Sequence, residues 1–316
     1  MKRILNNRFV SNTFAYIGLT VVNRGIPFLL MPILTRYLAP EALGSITMFL
    51  TLQLAAMLIV GLSLNSVIMQ RYFKMEPTEV PHALKAAYVL ILLAGTVLSL
   101  ALVTGSKWLT MLTNLPLGWL LVANLCAVLG MIQAVGLTLL QMRQQAGRYV
   151  TVQLVGSVAN ALLSIVLVVQ LELDWQGRAA GILLSLLMTV GWLLFTQARD
   201  GDLHLTSHGA TPPTSALCHT MADLMRLGLP LIPAALLIWG TTMSDRFFVN
   251  TLADTSALGI YAIGMMFAQV VEIIASTVNQ AFMPIVFSKL NSSEADRRKL
   301  VQWTYALFAS LLLIVV

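Results

Sequence analysis

Leu84 to Ser106 reads LKAAYVLILLAGTVLSLALVTGS, and after Lys85 none of its side chains carries charge. A hydrocarbon layer about 30 Å thick is crossed by about 20 residues of helix, so this stretch is one complete membrane span. A strand of a membrane barrel would need apolar and polar residues to alternate with a period of two. Here the apolar run is continuous. The same signature recurs on both sides, giving candidate spans at Phe9–Leu34, Leu43–Met69, Leu84–Ser106, Leu117–Leu140, Tyr149–Leu171, Ala179–Thr196, Leu227–Leu252, Ala257–Val286 and Leu300–Val316. The predicted architecture is therefore an all-α polytopic membrane bundle of about nine transmembrane helices.

Composition agrees. Of 316 residues, 58% are hydrophobic and 10% charged, against about 25% charged in a soluble domain. That deficit excludes most cytosolic enzymes, disordered proteins and nucleic-acid binders, so the bilayer is the expected partner and nucleic acid is not. Cys126 and Cys218 form neither a disulfide framework nor a CxxC metal pair. Met1-Lys2-Arg3 leads into an apolar stretch with no small-residue cleavage site, so no cleavable signal is expected. The sequence contains no GxxxxGK[ST], GxSxG or HExxH. His204 and His208 lack a third ligand, and Asp200-Gly-Asp202, a loose DxD of the glycosyltransferase kind, reads as a solvated inner loop. No metal site, cofactor or enzymatic chemistry is expected.

The basic residues orient the chain. With the N-terminus inside, the inner segments hold fourteen Lys and Arg, and the outer ones hold only Arg36, Lys107 and Arg178. Excess positive charge marks cytoplasmic loops, so the N-terminus is expected in the cytoplasm. The longest polar stretch, Gln197–Ala222, contains Thr211-Pro212-Pro213 and reads as a linker. Residues 1–198 then form an N-terminal lobe of six spans, 199–226 a cytoplasmic linker, and 227–316 a second lobe of three. The chain ends inside an apolar run, which reads as a truncated second lobe.

Charge inside a membrane costs about 2.5–3.5 kcal/mol at a helix centre, so Arg24, Asp245, Arg246 and Glu272 should face protein or water. In the first span Thr13, Tyr16, Thr20, Asn23, Arg24 and Pro27 share one helical face. In the eighth, Gln269, Glu272, Ser276, Asn279 and Gln280 repeat the pattern. These two spans read as cavity walls. The fifth has a milder stripe, Gln153, Ser157, Asn160 and Ser164, which reads as glue between helices. The third and sixth, with little beyond Thr96, Ser99, Ser185 and Thr189, read as lipid-facing exterior. Arg24 either presents positive charge to an anionic substrate or pairs with Glu272. Arg246 is the second candidate cation, or snorkels to the interface. Its neighbour Asp245 points about 100° away around the helix and is not automatically its partner. Pro27 and Pro32 in the first span match Pro230 and Pro233 in the seventh as possible bends. Gly44-Ser-Ile and Gly259-Ile-Tyr open the second and eighth spans alike, and this offset places Asn65 opposite Gln280 and Tyr72 opposite Phe287. A weak internal repeat is the expectation.

Pro32-Ile-Leu-Thr-Arg-Tyr-Leu-Ala-Pro-Glu-Ala-Leu-Gly44 resembles the end of the first helix in the bacterial polysaccharide flippases, the Wzx-type O-antigen and capsule translocases. Gly228-Leu-Pro-Leu-Ile-Pro233, Asp245-Arg-Phe-Phe-Val249 and Leu258-Gly-Ile-Tyr-Ala-Ile-Gly264 look like that family's seventh and eighth helices. The family belongs to the multidrug/oligosaccharidyl-lipid/polysaccharide exporter superfamily. The resemblance implies two six-helix lobes around a cavity lined by helices 1, 2, 7 and 8. It also implies a substrate, an oligosaccharide on undecaprenyl pyrophosphate moved from the inner to the outer leaflet, with the polymerase machinery of surface polysaccharide as a further partner. In that setting Asn23, Asn65, Gln269, Asn279 and Gln280 would bond sugar hydroxyls. Arg24 and then Arg246 would hold the pyrophosphate, since a guanidinium binds phosphate bidentately. Glu272 and Asp245 would serve ion coupling or charge pairing. A cation-coupled multidrug exporter is the alternative, and it would want an anionic cavity. A membrane glycosyltransferase would want a functional DxD or a large outer loop.

Overall fold

The computed structural model describes residues 25, 26, 29, 30, 32–76, 79–202 and 214–269. Among these residues every regular element is helical. They are α1 (Pro40–Gly61), α2 (Leu64–Arg71), α3 (Val80–Thr104), α4 (Ser106–Thr113), α5 (Leu117–Met142), α6 (Ala146–Ile165), α7 (Asp174–Arg199), α8 (Thr214–Gly228) and α9 (Ile232–Leu252). Described residues at 25–37 and residues 255–269 are helical as well. Six helical segments among the described residues are long and apolar enough to cross a membrane, so the protein is a multi-pass membrane protein. The chain divides into two compact units, Met1–Gly259 and Ile260–Val316. Of the second unit, the described residues 260–269 form a helix; all other described residues belong to the first.

The third, fourth, fifth and sixth predicted spans appear as α3, α5, α6 and α7, each with ends within a few residues of those read from hydropathy. The second does not run through. Leu62 and Ser63 take left-handed backbone angles (φ 47° and 53°), separating α1 from α2. A non-glycine residue held there costs about 1–3 kcal/mol, so surrounding packing must hold the break in place. Gly228 sits against it: a Cβ added at Gly228 would lie 2.1 Å from the Leu62 carbonyl oxygen. Just beyond, Pro230 falls in a single 3₁₀ turn, Leu229–Leu231, that joins α8 to α9. The interruptions of the predicted second and seventh spans therefore face one another.

The linker reading needs correction. Its second half is α8, an amphipathic helix packed on α2 and α3, with Leu224 fully buried and Asp223 paired to Arg71 at 3.6 Å. Cys218 accordingly sits exposed on a helix and not in a loop. Residues 203–213, with His204 and His208, lie outside the described residues.

α5 is the central helix, packing on α1, α2, α3, α6 and α7. Its Val128, Met131, Ile132 and Val135 are buried among Val60, Leu64, Ala87 and Ile91. Asn124 on the same helix donates to the Gly95 carbonyl (2.9 Å) and to Ser99 Oγ (2.8 Å), tying α5 to α3. Leu92, Leu93, Val97 and Leu100 on α3, and Leu184, Leu187, Met188 and Phe195 on α7, stand exposed at helical spacing. Such apolar stripes on the outside suit a hydrocarbon solvent.

At the arginine-rich end, Gly201 turns the chain back at the end of α7 with φ 88°, which only glycine adopts freely. The Asp202 N–H then bonds the Gln197 carbonyl (2.9 Å) and the Gly201 N–H that of Ala198 (3.3 Å), a Schellman end. This turn delivers Asp202, 5% exposed, to Arg143, whose two terminal nitrogens each reach one carboxylate oxygen at 2.6 Å. The carboxylate holds the Arg143 guanidinium above its ordinary pKa. Asp200 pairs with Arg148. Asp200-Gly-Asp202 is thus not a solvated inner loop but half of a double ion-pair staple between α7 and the α5–α6 turn. Gln144 in that turn occupies the same Schellman position as Gly201, at φ 57°. Gln144→Gly is expected to raise stability by about 1 kcal/mol, read as a higher thermal unfolding midpoint in detergent.

At the arginine-poor end, α1 meets the start of the 255–269 helix backbone to backbone. A Cβ on Gly44 would fall 1.8 Å from the Thr255 carbonyl oxygen, and one on Gly259 would fall 1.9 Å from the Pro40 carbonyl oxygen. Each glycine abuts the residue four positions before the other, the reciprocal pattern a local two-fold relation between the segments produces. Asn250 Nδ2 donates to the Leu112 carbonyl (3.2 Å), Asn114 Nδ2 to Thr255 Oγ1 (3.3 Å), and the Thr255 hydroxyl to Asn250 Oδ1 (3.1 Å). These bonds latch the α4–α5 turn to the segment after α9.

Candidate functional site

A polar cavity of about 210 Å³ opens among α5, α6, α7 and the helical residues Ile26 and Leu30. Its wall carries Gln133, Gln153, Ser157, Asn160, Arg178, Ser185 and Thr189. The charge is Arg178, read from sequence as an outer-loop residue. It lies instead inside α7, which begins at Asp174, one turn before the expected start of the span. Its guanidinium turns toward α6, donating to the Asn160 side-chain oxygen and to Ser164 Oγ (2.6 Å). Gly181, one turn on, brings the helices together: a Cβ there would lie 2.6 Å from Ser164 Oγ. The fifth-span stripe does join helices, and it also lines a cavity. The sixth span is not plain exterior, because Ser185 and Thr189 are buried against that cavity while only its opposite face is exposed. The Gly177-x-x-x-Gly181 spacing, a small-residue signature of close membrane helix packing, was the available signal for this face.

The predicted cavity-wall residues fall differently. Asn23, Arg24, Glu272, Asn279 and Gln280 lie outside the described residues. Asn65 is half-buried on α2, and Gln269 is exposed in the second unit. Arg246, 8% exposed, does not snorkel. Its guanidinium folds back along α9 to the Thr242 carbonyl (3.0 Å), Met243 Sδ (2.6 Å) and Asp245 Oδ1 (3.4 Å). Asp245 is its partner after all: the long arginine side chain spans the 100° between neighbours. A second, open groove of about 750 Å³ lies at the arginine-poor end, lined by Glu41, Trp108, Asn114, Asn250, Asp254 and Thr255 among others.

An open-sided cavity lined by hydroxyls, amides and one arginine, set among apolar helices, can hold a polar solute. The family model described as polysaccharide biosynthesis protein matches residues 9–290. The chain belongs to that family. Protein 1 of the Lsg locus of Haemophilus influenzae is 24% identical to it over 291 residues, 91% of this chain and 68% of the relative. An uncharacterized membrane protein of the same organism is 23% identical over 282 residues, 88% of this chain and 65% of the relative. Among solved structures, a multidrug resistance MATE family transporter of the MOP superfamily in an inward-facing conformation superposes with a TM-score of 0.62, at 16% identity, over 92% of this chain and 68% of that one. A MATE structure in complex with MaD3S gives 0.58 at 18% identity, over 81% and 60%. The chain thus spans roughly two thirds of its relatives' length, and only 60% of that last structure. Its fold is that of the MATE-like transporters.

Proposed function

We propose that this protein translocates undecaprenyl-pyrophosphate-linked oligosaccharide from the inner to the outer leaflet of the bacterial cytoplasmic membrane, for surface polysaccharide assembly. The observation that carries the reading is the family match across residues 9–290 on a transporter fold. The bias of Lys and Arg supports an N-terminus in the cytoplasm, and moving Arg178 into a helix leaves the outer segments poorer still. Residues 1–198 act as one lobe and 227–316 belong to the other, alternating access between the two sides. Substrate gradient or ion coupling drives the cycle. Arg24 holds the pyrophosphate, with Arg246 joining it by exchanging Asp245 for phosphate oxygens. Asn23, Asn65, Gln269, Asn279 and Gln280 meet the sugar, and Glu272 takes the coupling ion or pairs with Arg24. The carrier's lipid tail stays in the bilayer.

The test uses a strain lacking the native gene, complemented by this chain and by any longer reading frame. Undecaprenyl-linked oligosaccharide should accumulate in the deletion and be cleared on complementation. In the competent form Arg24→Ala should restore the accumulation while the protein still inserts. Surface sugar unchanged in the deletion, with no accumulation, would sink the reading, and efflux of cationic dyes would then favour the multidrug alternative.

A further inference from the structure

Among the described residues Arg178 is a cation without a carboxylate. None of the ion pairs among the described residues includes it, and the acceptors it uses, the Asn160 amide and Ser164 hydroxyl, are neutral. The first span, whose Ile26 and Leu30 line the same cavity, has no acid to offer: no Asp or Glu occurs before Glu41. Nor does the guanidinium reach for the membrane surface. Ser164 lies six residues before the end of its helical segment at Gln170, about 9 Å deep at 1.5 Å per residue. An unpaired charge at that depth is costly, and helix–helix adhesion alone needs no charge, since the Asn124–Ser99 bond joins α5 to α3 without one.

What distinguishes the place is space. The cavity beside Arg178 is about 210 Å³, roughly seven times the volume a water molecule occupies in the liquid. On its wall Gln133 and Gln153 carry amide donors that can turn inward, while the Ser185 and Thr189 hydroxyls donate to the Ile182 and Ser185 carbonyls (2.8 and 2.9 Å). We propose that this cavity is a binding site for a small anion, a halide or a phosphoryl group, with Arg178 as its counter-charge. The cavity lies within the first compact unit, and the proposal does not depend on which solute the protein moves.

Trp175 provides the readout, three residues before Arg178 and packed against Trp119 at a tilt of 57° with ring centres 5.1 Å apart. The purified full chain in detergent is titrated with sodium chloride, and separately with sodium phosphate, against bulky gluconate at constant ionic strength. Tryptophan fluorescence should change saturably with at least one of the small anions. A response to chloride identifies a free inorganic counter-ion; a response to phosphate alone identifies a phosphoryl group of the kind a lipid-linked substrate carries. Arg178→Gln should abolish the change. Ser185→Leu, which fills the cavity and leaves the guanidinium in place, should weaken apparent affinity by about tenfold or more, and it serves if the arginine variant does not fold. Absence of a saturable response to either anion in the wild type, or an equal response in a folded Arg178→Gln protein, overturns the proposal.

Discussion

Gly44→Ala is expected to lower the thermal unfolding midpoint of the detergent-solubilised protein by about 3–6 °C. The added methyl would fall 1.8 Å from the Thr255 carbonyl oxygen. That atom is backbone, so no side-chain rotation relieves the clash and two helices must separate. Overpacking of this kind costs about 1–3 kcal/mol, and the upper end applies because backbone has to shift. A kcal/mol moves the midpoint of a chain of this size by about 1–2 °C. Gly259→Ala should do the same, against the Pro40 carbonyl at 1.9 Å. Gly240, inside α9 with nothing within 4 Å of an added Cβ, is the control: Gly240→Ala should gain about 0.5–1 kcal/mol from the lower entropy of alanine. A local reporter separates opening of this contact from general loss of structure. Leu258 is fully buried beside Gly259; in a Cys218→Ser background, Leu258→Cys should resist a membrane-impermeant maleimide until Gly44→Ala is added. Equal midpoints for the Gly44 and Gly240 variants, with unchanged labelling, would show that the two helix ends do not meet.

Arg143→Ala is expected to cost about 3–5 kcal/mol, the usual consequence of stranding one half of a buried ion pair. The Asp202 side chain is 7% exposed, and without Arg143 its carboxylate would have neither water nor cation. Replacing both residues, Arg143→Leu with Asp202→Leu, should recover most of the loss, because the desolvation cost leaves with the charges. The pair Arg148–Asp200 is more open on its arginine side, so Arg148→Ala should cost under about 1 kcal/mol. Thermal unfolding of the single and double variants checks all three. A single Arg143→Ala no worse than Arg148→Ala would mean that the Asp202 carboxylate reaches water.

The spans that sequence located well are those where composition alone decides. α3, α5, α6 and α7 are unbroken apolar runs, and hydrocarbon thickness dictates their length. What escaped were features that depend on a neighbour. α8 mixes Asp223 and Arg226 with Leu217, Met221 and Leu224, so a hydropathy window averages it to a loop; only its packing on α2 and α3 makes it a helix. Arg178 was assigned to a turn because charge counting presumes that arginines end spans, and Asn160 and Ser164, which draw it inward, lie in another helix. The Asp245–Arg246 pairing stays open in the sequence for an opposite reason: Cβ directions point the neighbours apart, and the arginine side chain is long enough to bridge them. Nothing local in Gly61-Leu-Ser-Leu64 announces left-handed angles at Leu62 and Ser63 either. The polar stripes of the first and eighth spans fall mainly outside the described residues, apart from Gln269.

That interruption at Leu62 and Ser63 bears on how movement can spread. A continuous helix from Pro40 to Arg71 would behave as a stiff rod of about 48 Å at 1.5 Å per residue, and a tilt imposed at one end would arrive undiminished at the other. Cut after Gly61, it is two levers with a swivel between them, and the swivel is seated on Gly228, where the opposing chain also loses its regular winding. The glycine contact at Pro40–Gly44 and the ion pair of Arg71 with α8 are therefore set on separate rods, one on each side of the swivel.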